Sequence, residues 1–184
     1  MSTIQTVSSD LFDLFENESN DSVEIMKTSV TYNNGYVQKF VEMKISGIEW
    51  MNTDCNEDDN HGEFADLANG DVLIAGLGLG GDVLLVKDKI NVDSVHVVES
   101  SADVIDLVWD RVSGAAGNLQ VYNQTIESFL QSTSLTFDVI WIDIYRELGI
   151  QIPDEIQAMV TLATPRLKQG GRLLFWKYPV YLPS

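Results

Sequence analysis

The chain has 184 residues, 45% of them hydrophobic, a formal net charge of −17 and one cysteine, Cys55. That length holds one domain with an appendage and is too short for two full α/β domains. The charge excludes general affinity for DNA or RNA, whose phosphates need a Lys/Arg stripe, and a single cysteine excludes an intrachain disulfide and fits a reducing compartment.

No apolar run approaches the roughly 20 residues that span a bilayer, and the start, MSTIQTVSSDLFDLFENESNDS, lacks the basic and apolar segments of a signal peptide. A soluble cytoplasmic protein with no membrane partner is expected. Residues 1–22, rich in Ser, Asn, Asp and Glu, read as a flexible acidic tail in which LFDLF forms at most a short amphipathic turn. Residues 23–61 read as a β-hairpin extension followed by a polar loop. SVEIMKTSVTY and YVQKFVEMKI flank Asn33-Asn34-Gly35, a signal for a type I′ turn, and Ser46-Gly47 leads to a short third strand ending near Met51. The stretch from Asn52 to His61 holds Asp, Cys, Glu and His but matches no zinc or calcium-loop spacing, so it is read as a solvated loop with no metal. Acidic residues concentrate in 10–24 and 54–66. They serve solubility or, on a sharper reading, attract a cationic small-molecule substrate.

From residue 62 helices and strands alternate. GEFADLAN predicts a short helix, and Val72–Ala75 a buried strand. Asp82–Lys89 begins a helix, Ser94–Glu99 is a strand, and Ser100–Val112 is a helix opened by a capping box of Ser100 and Asp103. Leu119–Asn123 is a strand, Ile126–Gln131 a helix, and Thr136–Asp143 a strand. Pro153–Thr164 is a helix with Pro in its first turn. Gly170-Gly171 is a turn before a final strand, RLLFWKYP. Apolar strands alternating with helices imply an α/β fold, a Rossmann-like, doubly wound and mostly parallel sheet over residues 62–184.

Gly76-Leu-Gly78-Leu-Gly80-Gly81 lies between a strand and a helix, the context this pattern needs. Gly76 allows the sharp turn, Gly78 lets backbone approach a ligand, and Gly81 allows close helix–strand packing. Glu99 ends the next strand, about 20 residues on, where a carboxylate can accept two hydrogen bonds from a ribose diol. These features suit NAD enzymes as well as S-adenosylmethionine (SAM) enzymes.

The C-terminal half separates them. FDVIWIDIY followed by LKQGGRLLFWKYP resembles the fourth and fifth strands of class I SAM-dependent methyltransferases. VLIAGLGLGG, with Ile74 where methyltransferases usually carry an acid, is similar to the spermidine synthase branch, and in particular to small proteins of that type from phages and bacteria. The resemblance implies SAM or decarboxylated SAM as cofactor, held by Gly76, Gly78, Gly80, Gly81 and Glu99. Ser100 caps its helix or touches the ribose. The acid that binds adenine in this branch falls at Thr125, with Gln124 or Glu127 as substitutes. Asp143 matches the first Asp of the branch's D-S-S-D stretch and is the candidate at the reacting end, with Tyr145 closing the pocket. The last Asp of that stretch, the expected base for an attacking amine, falls at Arg146. His61 is read as a loop residue in preference to a base, His96 as structural, and Trp141 and Trp176 as packing. Methyltransferases of this class continue with two more strands. This sheet is expected to stop after the fifth, its edge protected by the N-terminal hairpin or by another subunit in a homo-oligomer.

Three functions compete. One is methyl transfer from SAM to a small molecule or protein. The second is aminopropyl transfer from decarboxylated SAM, opposed by Arg146. The third is a non-catalytic nucleoside-binding or assembly module, with NAD-dependent oxidoreduction a distant fourth.

Overall fold

The computed structural model describes residues 10–53, 58–114, 118–144, 153–176 and 178–181. The N-terminal part is a helical turn (α1, residues 10–14) and an antiparallel sheet of β1 (Glu18–Ser19), β2 (Val23–Thr31), β3 (Val37–Ile45) and β4 (Ile48–Asn52), in that spatial order. The predicted hairpin forms, with Val23 opposite Ile45 and Thr31 opposite Val37. Its turn differs from the expected type I′. Of Asn33, Asn34 and Gly35 only Gly35 has positive φ, and Tyr32 bonds both Gly35 and Tyr36, so the connection is a three-residue loop. The two-residue turn with positive φ at both positions is Ser46-Gly47, between the paired Ile45 and Ile48.

The second part alternates as expected: α2 (Asp58–Leu67), β5 (Gly70–Ala75), α3 (Gly81–Val86), β6 (Val92–Glu99), α4 (Ala102–Ser113), β7 (Leu119–Asn123), α5 (Ile126–Ser132), β8 (Phe137–Ile142), α6 (Pro153–Ala163), a 3-10 turn (Thr164–Arg166), β9 (Leu167–Phe175) and β10 (Tyr178–Tyr181). The sheet order is β10-β9-β8-β5-β6-β7. All neighbours from β9 to β7 are parallel, and β10 is antiparallel to β9. Each side chain along β5 goes to the opposite face from the last. Val72 and Ile74 join a core with α3, α4 and the N-terminal sheet, while Leu73 and Ala75 join one with α5 and α6. A strand buried on both faces needs the continuous apolar run that the sequence shows there.

Several sequence expectations are corrected. The sheet does not stop at the fifth strand. The chain turns at Trp176, and Tyr178–Tyr181 pairs back onto β9, covering the edge that was assigned to the hairpin or to another subunit. The continuous apolar run Leu173–Trp176 in RLLFWKYP carries no mark of that reversal. Gly170-Gly171 is not a turn between elements but lies inside β9, beside a register shift against β8. Nor are residues 10–22 a loose tail. Leu11 and Phe15 are buried at 3% and 0% exposure, and Glu18 makes a two-pronged ion pair with Arg111 of α4. Asn20 Nδ2 donates to the Asp103 carbonyl at 2.8 Å, and Ser22 donates to the Asp103 carboxylate. Asp103 is therefore spent on the N-terminal segment, and the cap of α4 is Ser101, whose Oγ accepts from Val104 N at 3.3 Å, rather than Ser100. Among the described residues no helix is long and apolar enough to cross a membrane.

Candidate functional site

In the parallel sheet β6 leaves β5 on one side and β8 lies on the other. Open α/β sheets bind ligands at such a switch point, outside the carboxyl ends of the strands. Here those ends deliver Gly76 after β5, Glu99 at the end of β6, Gln124 after β7, Asp143 after β8 and Trp176 after β9. They open into a cavity of about 530 Å³, within the range of small-molecule sites. The antiparallel sheet supplies the facing wall through Met43, Ile45, Trp50 and Met51.

Gly76, Gly78, Gly81, Glu99, Ser100, Gln124, Thr125 and Asp143 all line this cavity. Gly76 has φ +98, and a Cβ there would lie 2.2 Å from the Asp143 carbonyl oxygen, so this glycine lets β5 and β8 run out side by side. A Cβ at Gly78 (φ +50) would meet Met51 Sδ at 2.5 Å, and the same sulfur accepts from Leu79 N at 3.3 Å. Gly80 is not a lining residue. A Cβ on it would strike Val112 at 2.5 Å, so Gly80 serves the close packing of α3 on α4.

Glu99 is held by backbone. Its Oε2 accepts from Leu77 N at 2.9 Å and its Oε1 from Ser101 N at 2.8 Å. Oε2 can accept a second bond, so the group is oriented without being saturated. Ser100 is exposed, its Oγ 3.4 Å from Glu99 Oε1. The Gln124 amide donates to the Glu99 carbonyl at 3.1 Å, tying the β6 and β7 ends together. Thr125 caps α5, its Oγ1 accepting from Ser128 N at 3.3 Å, while Glu127 also lines the cavity. Tyr145, Arg146 and Cys55 lie outside the described residues.

Sequence reasoning missed Asp82. An acid in the first turn after a glycine motif reads as an exposed partner of the helix dipole, and nothing local marks its burial. Asp82 is only 9% exposed; Trp141 Nε1 donates to its Oδ2 at 2.8 Å, and its Oδ1 lies 2.8 Å from His61 Nδ1. His61 is a residue of α2, not of a loop, and packs edge-on to Trp141 with ring centroids 5.8 Å apart. The indole read as packing alone thus also orients a carboxylate in the site. His61, Asp82 and Asp143 bring donor atoms within 4.8 Å of one another. The carboxylates facing the cavity are Asp82, Glu99, Glu127 and Asp143, and among the described residues no Lys or Arg lines it.

No protein-family model matches the chain, and no curated protein does. Solved structures do. A spermidine synthase from Thermotoga maritima matches 86% of this chain with 17% identity and a TM-score of 0.56, and a spermidine synthase in complex with the transition-state analogue AdoDATO matches 86% with 18% identity and a TM-score of 0.57. This chain covers 55% and 54% of those chains, about half their length. An S-adenosylmethionine-dependent methyltransferase from Clostridium acetobutylicum matches 60% of the chain and 44% of its own at 18% identity, with a TM-score of 0.48. At 17% and 18% identity these matches show a shared fold, a Rossmann-like α/β fold of the class I methyltransferase type, which in this chain carries an antiparallel four-stranded sheet at the N-terminus.

Proposed function

We propose that the chain is a transferase that binds SAM in this cavity and moves its methyl group to a small molecule or a protein. The observation that carries the reading is the joint placement of the glycine turn and of Glu99, whose carboxylate is oriented by Leu77 and Ser101 amides beside that turn. Glu99 would hold the ribose diol, and the backbone at Gly76 and Gly78 would lie against the amino-acid side. Gln124 and Glu127 would meet the adenine, since Thr125 Oγ1 already caps α5. When bound, the cofactor supplies a sulfonium that is already an activated leaving group. The protein's share is then mostly positioning, which asks for few catalytic residues.

A second reading is favoured by one feature of the wall. SAM carries an α-carboxylate, and the described lining offers it four carboxylates and no Lys or Arg. Decarboxylated SAM lacks that group, so like-charge repulsion favours it and with it aminopropyl transfer to an amine. Calorimetry separates these readings. SAM, S-adenosylhomocysteine, decarboxylated SAM and NAD are titrated into wild type and Glu99→Ala. Saturable SAM binding that weakens at least tenfold in the variant, about 1.4 kcal/mol, is the expected result. A preference for the decarboxylated form promotes the second reading, and binding of NAD alone defeats both. Binding of none leaves a non-catalytic module.

A further inference from the structure

The structure assigns a divalent-cation site to His61, Asp82 and Asp143, at the end of the cavity away from Gln124 and Glu127. Three elements far apart in the chain each deliver one donor: α2 gives an imidazole, α3 a carboxylate and the end of β8 a second carboxylate. Their donor atoms lie within 4.8 Å of one another, and all three residues line the cavity. Opposite ligands of an ion with bonds of about 2.2 Å stand roughly 4.4 Å apart, so the cluster needs at most small side-chain adjustments to close on an ion. The 2.8 Å between His61 Nδ1 and Asp82 Oδ1 fits two neighbouring ligands. At bond lengths of about 2.1 Å they subtend roughly 85° at the ion, close to an octahedral edge.

Two further features set this cluster apart from a chance gathering of acids. Asp82 is buried, and its second oxygen is fixed by Trp141 Nε1–H at 2.8 Å, the kind of outer hydrogen bond that holds a ligating carboxylate in place. In addition, Asp82 and Asp143 are close together in a cavity whose described lining has no Lys or Arg. A cation bound between them lowers the mutual repulsion of two carboxylates so placed. One imidazole with two carboxylates suits Mn²⁺, Fe²⁺ or Zn²⁺ and is poor in the thiolate that Cu(I) seeks. Because the three residues line the cavity, the coordination positions they leave open face it. Water or an oxygen of a bound molecule takes them. Where this rests on the transfer reading, it narrows the acceptor to a molecule that offers an oxygen donor to the ion.

The test titrates Mn²⁺ alone into the full chain by calorimetry. Mn²⁺ is chosen over Zn²⁺ because the thiol of Cys55 competes for softer ions. One equivalent of saturable binding is expected, weakened at least tenfold by His61→Gln and by Asp143→Asn. A second readout needs no variant. The chain has two histidines, His61 and His96, and His96 sits on β6 against Phe137 and Tyr122, on the other face of the sheet. Substoichiometric Mn²⁺ should therefore broaden one set of imidazole NMR signals well before the other. Absence of saturable binding, binding that both variants retain, or equal broadening of both rings overturns the assignment. Glu99→Ala keeps the two readings apart: it should lose the nucleoside and keep the ion.

Discussion

At the level of single residues, the glycine motif carries unequal loads. Gly76 and Gly78 both have positive φ, which costs an L-residue about 1–2 kcal/mol, but what a methyl group would meet differs. At Gly76 it is the backbone carbonyl of Asp143, fixed in the continuing β5–β8 pairing through Asp143 N donating to Ala75 O at 2.9 Å. At Gly78 it is the end of the Met51 side chain, which can swing away. Gly76→Ala should therefore destabilise the chain more than Gly78→Ala, by a further 2 kcal/mol or so on the scale of large steric effects, seen as a larger drop in melting temperature. Gly78→Ala should instead weaken nucleoside binding, because the methyl group and the Met51 side chain it displaces both belong to the cavity lining. Equal melting temperatures for the two variants would show that the β8 end yields to the clash. Glu99 and Asp82 make a similar contrast. Glu99 was identifiable from its distance to the glycines, whereas the role of Asp82 depends on Trp141 and His61, 59 and 21 residues away.

Among elements, the N-terminal segment matters more than its composition suggests. Its acids and serines resemble a disordered tail, yet Leu11 and Phe15 enter the same core as Val23, Met43 and Val112. Phe15→Ala should cost about 3–5 kcal/mol, the usual range for emptying a buried aromatic site. Denaturant unfolding checks this, and a loss below about 1 kcal/mol would return the segment to the status of a tail. On β6, His96 is nearly buried, with Nδ1 3.0 Å from the Tyr122 hydroxyl and Nε2 3.1 Å from Ser94 Oγ. Burial holds its pKa below the usual imidazole value, opposed by the Asp71 carboxylate. The unfolded chain then takes up the proton at a higher pH than the folded one does. Stability from this group is fully present above about pH 6.5 and is lost as pH falls from there through the folded pKa. Melting curves between pH 7.5 and 5.5 should fall more steeply for wild type than for His96→Gln, and parallel curves would show that the ring is solvated when charged. At the foot of the same sheet Lys168 bridges Asp138 and Asp71 at 2.6 Å each. With Ser94, it keeps the Asp71 carboxyl below its ordinary range, so Asp71 stays ionised through that pH window.

For the whole molecule, the cavity is a product of two sheets. The parallel sheet brings five strand ends to one line, and the antiparallel sheet closes the other side with Met43, Trp50 and Met51. The sequence reached the first of these and offered the second only as cover for a sheet edge. The parallel sheet was readable because its causes are local: apolar runs, glycines at a strand–helix junction, and an acid one strand later. Gly76, Gly78, Gly81 and Glu99 follow from that pattern, Ser100, Gln124, Thr125 and Asp143 from the family resemblance, and all line the cavity. Gly80 was named with them and instead packs two helices, because the pattern records where a glycine stands and not which neighbour presses on it.

The sequence by itself determined the alternation of strands and helices, the position of the glycine turn and the acid at the end of β6. Each follows from residue periodicity or from backbone geometry within about 20 residues. Only the tertiary structure decided that Tyr178–Tyr181 folds back to cover the sheet edge, that residues 10–22 dock on α4, and that His61, Asp82 and Asp143 converge. Those outcomes depend on packing between segments far apart in the chain, where a side chain's environment is set by what arrives from elsewhere and leaves no periodic trace around the residue itself.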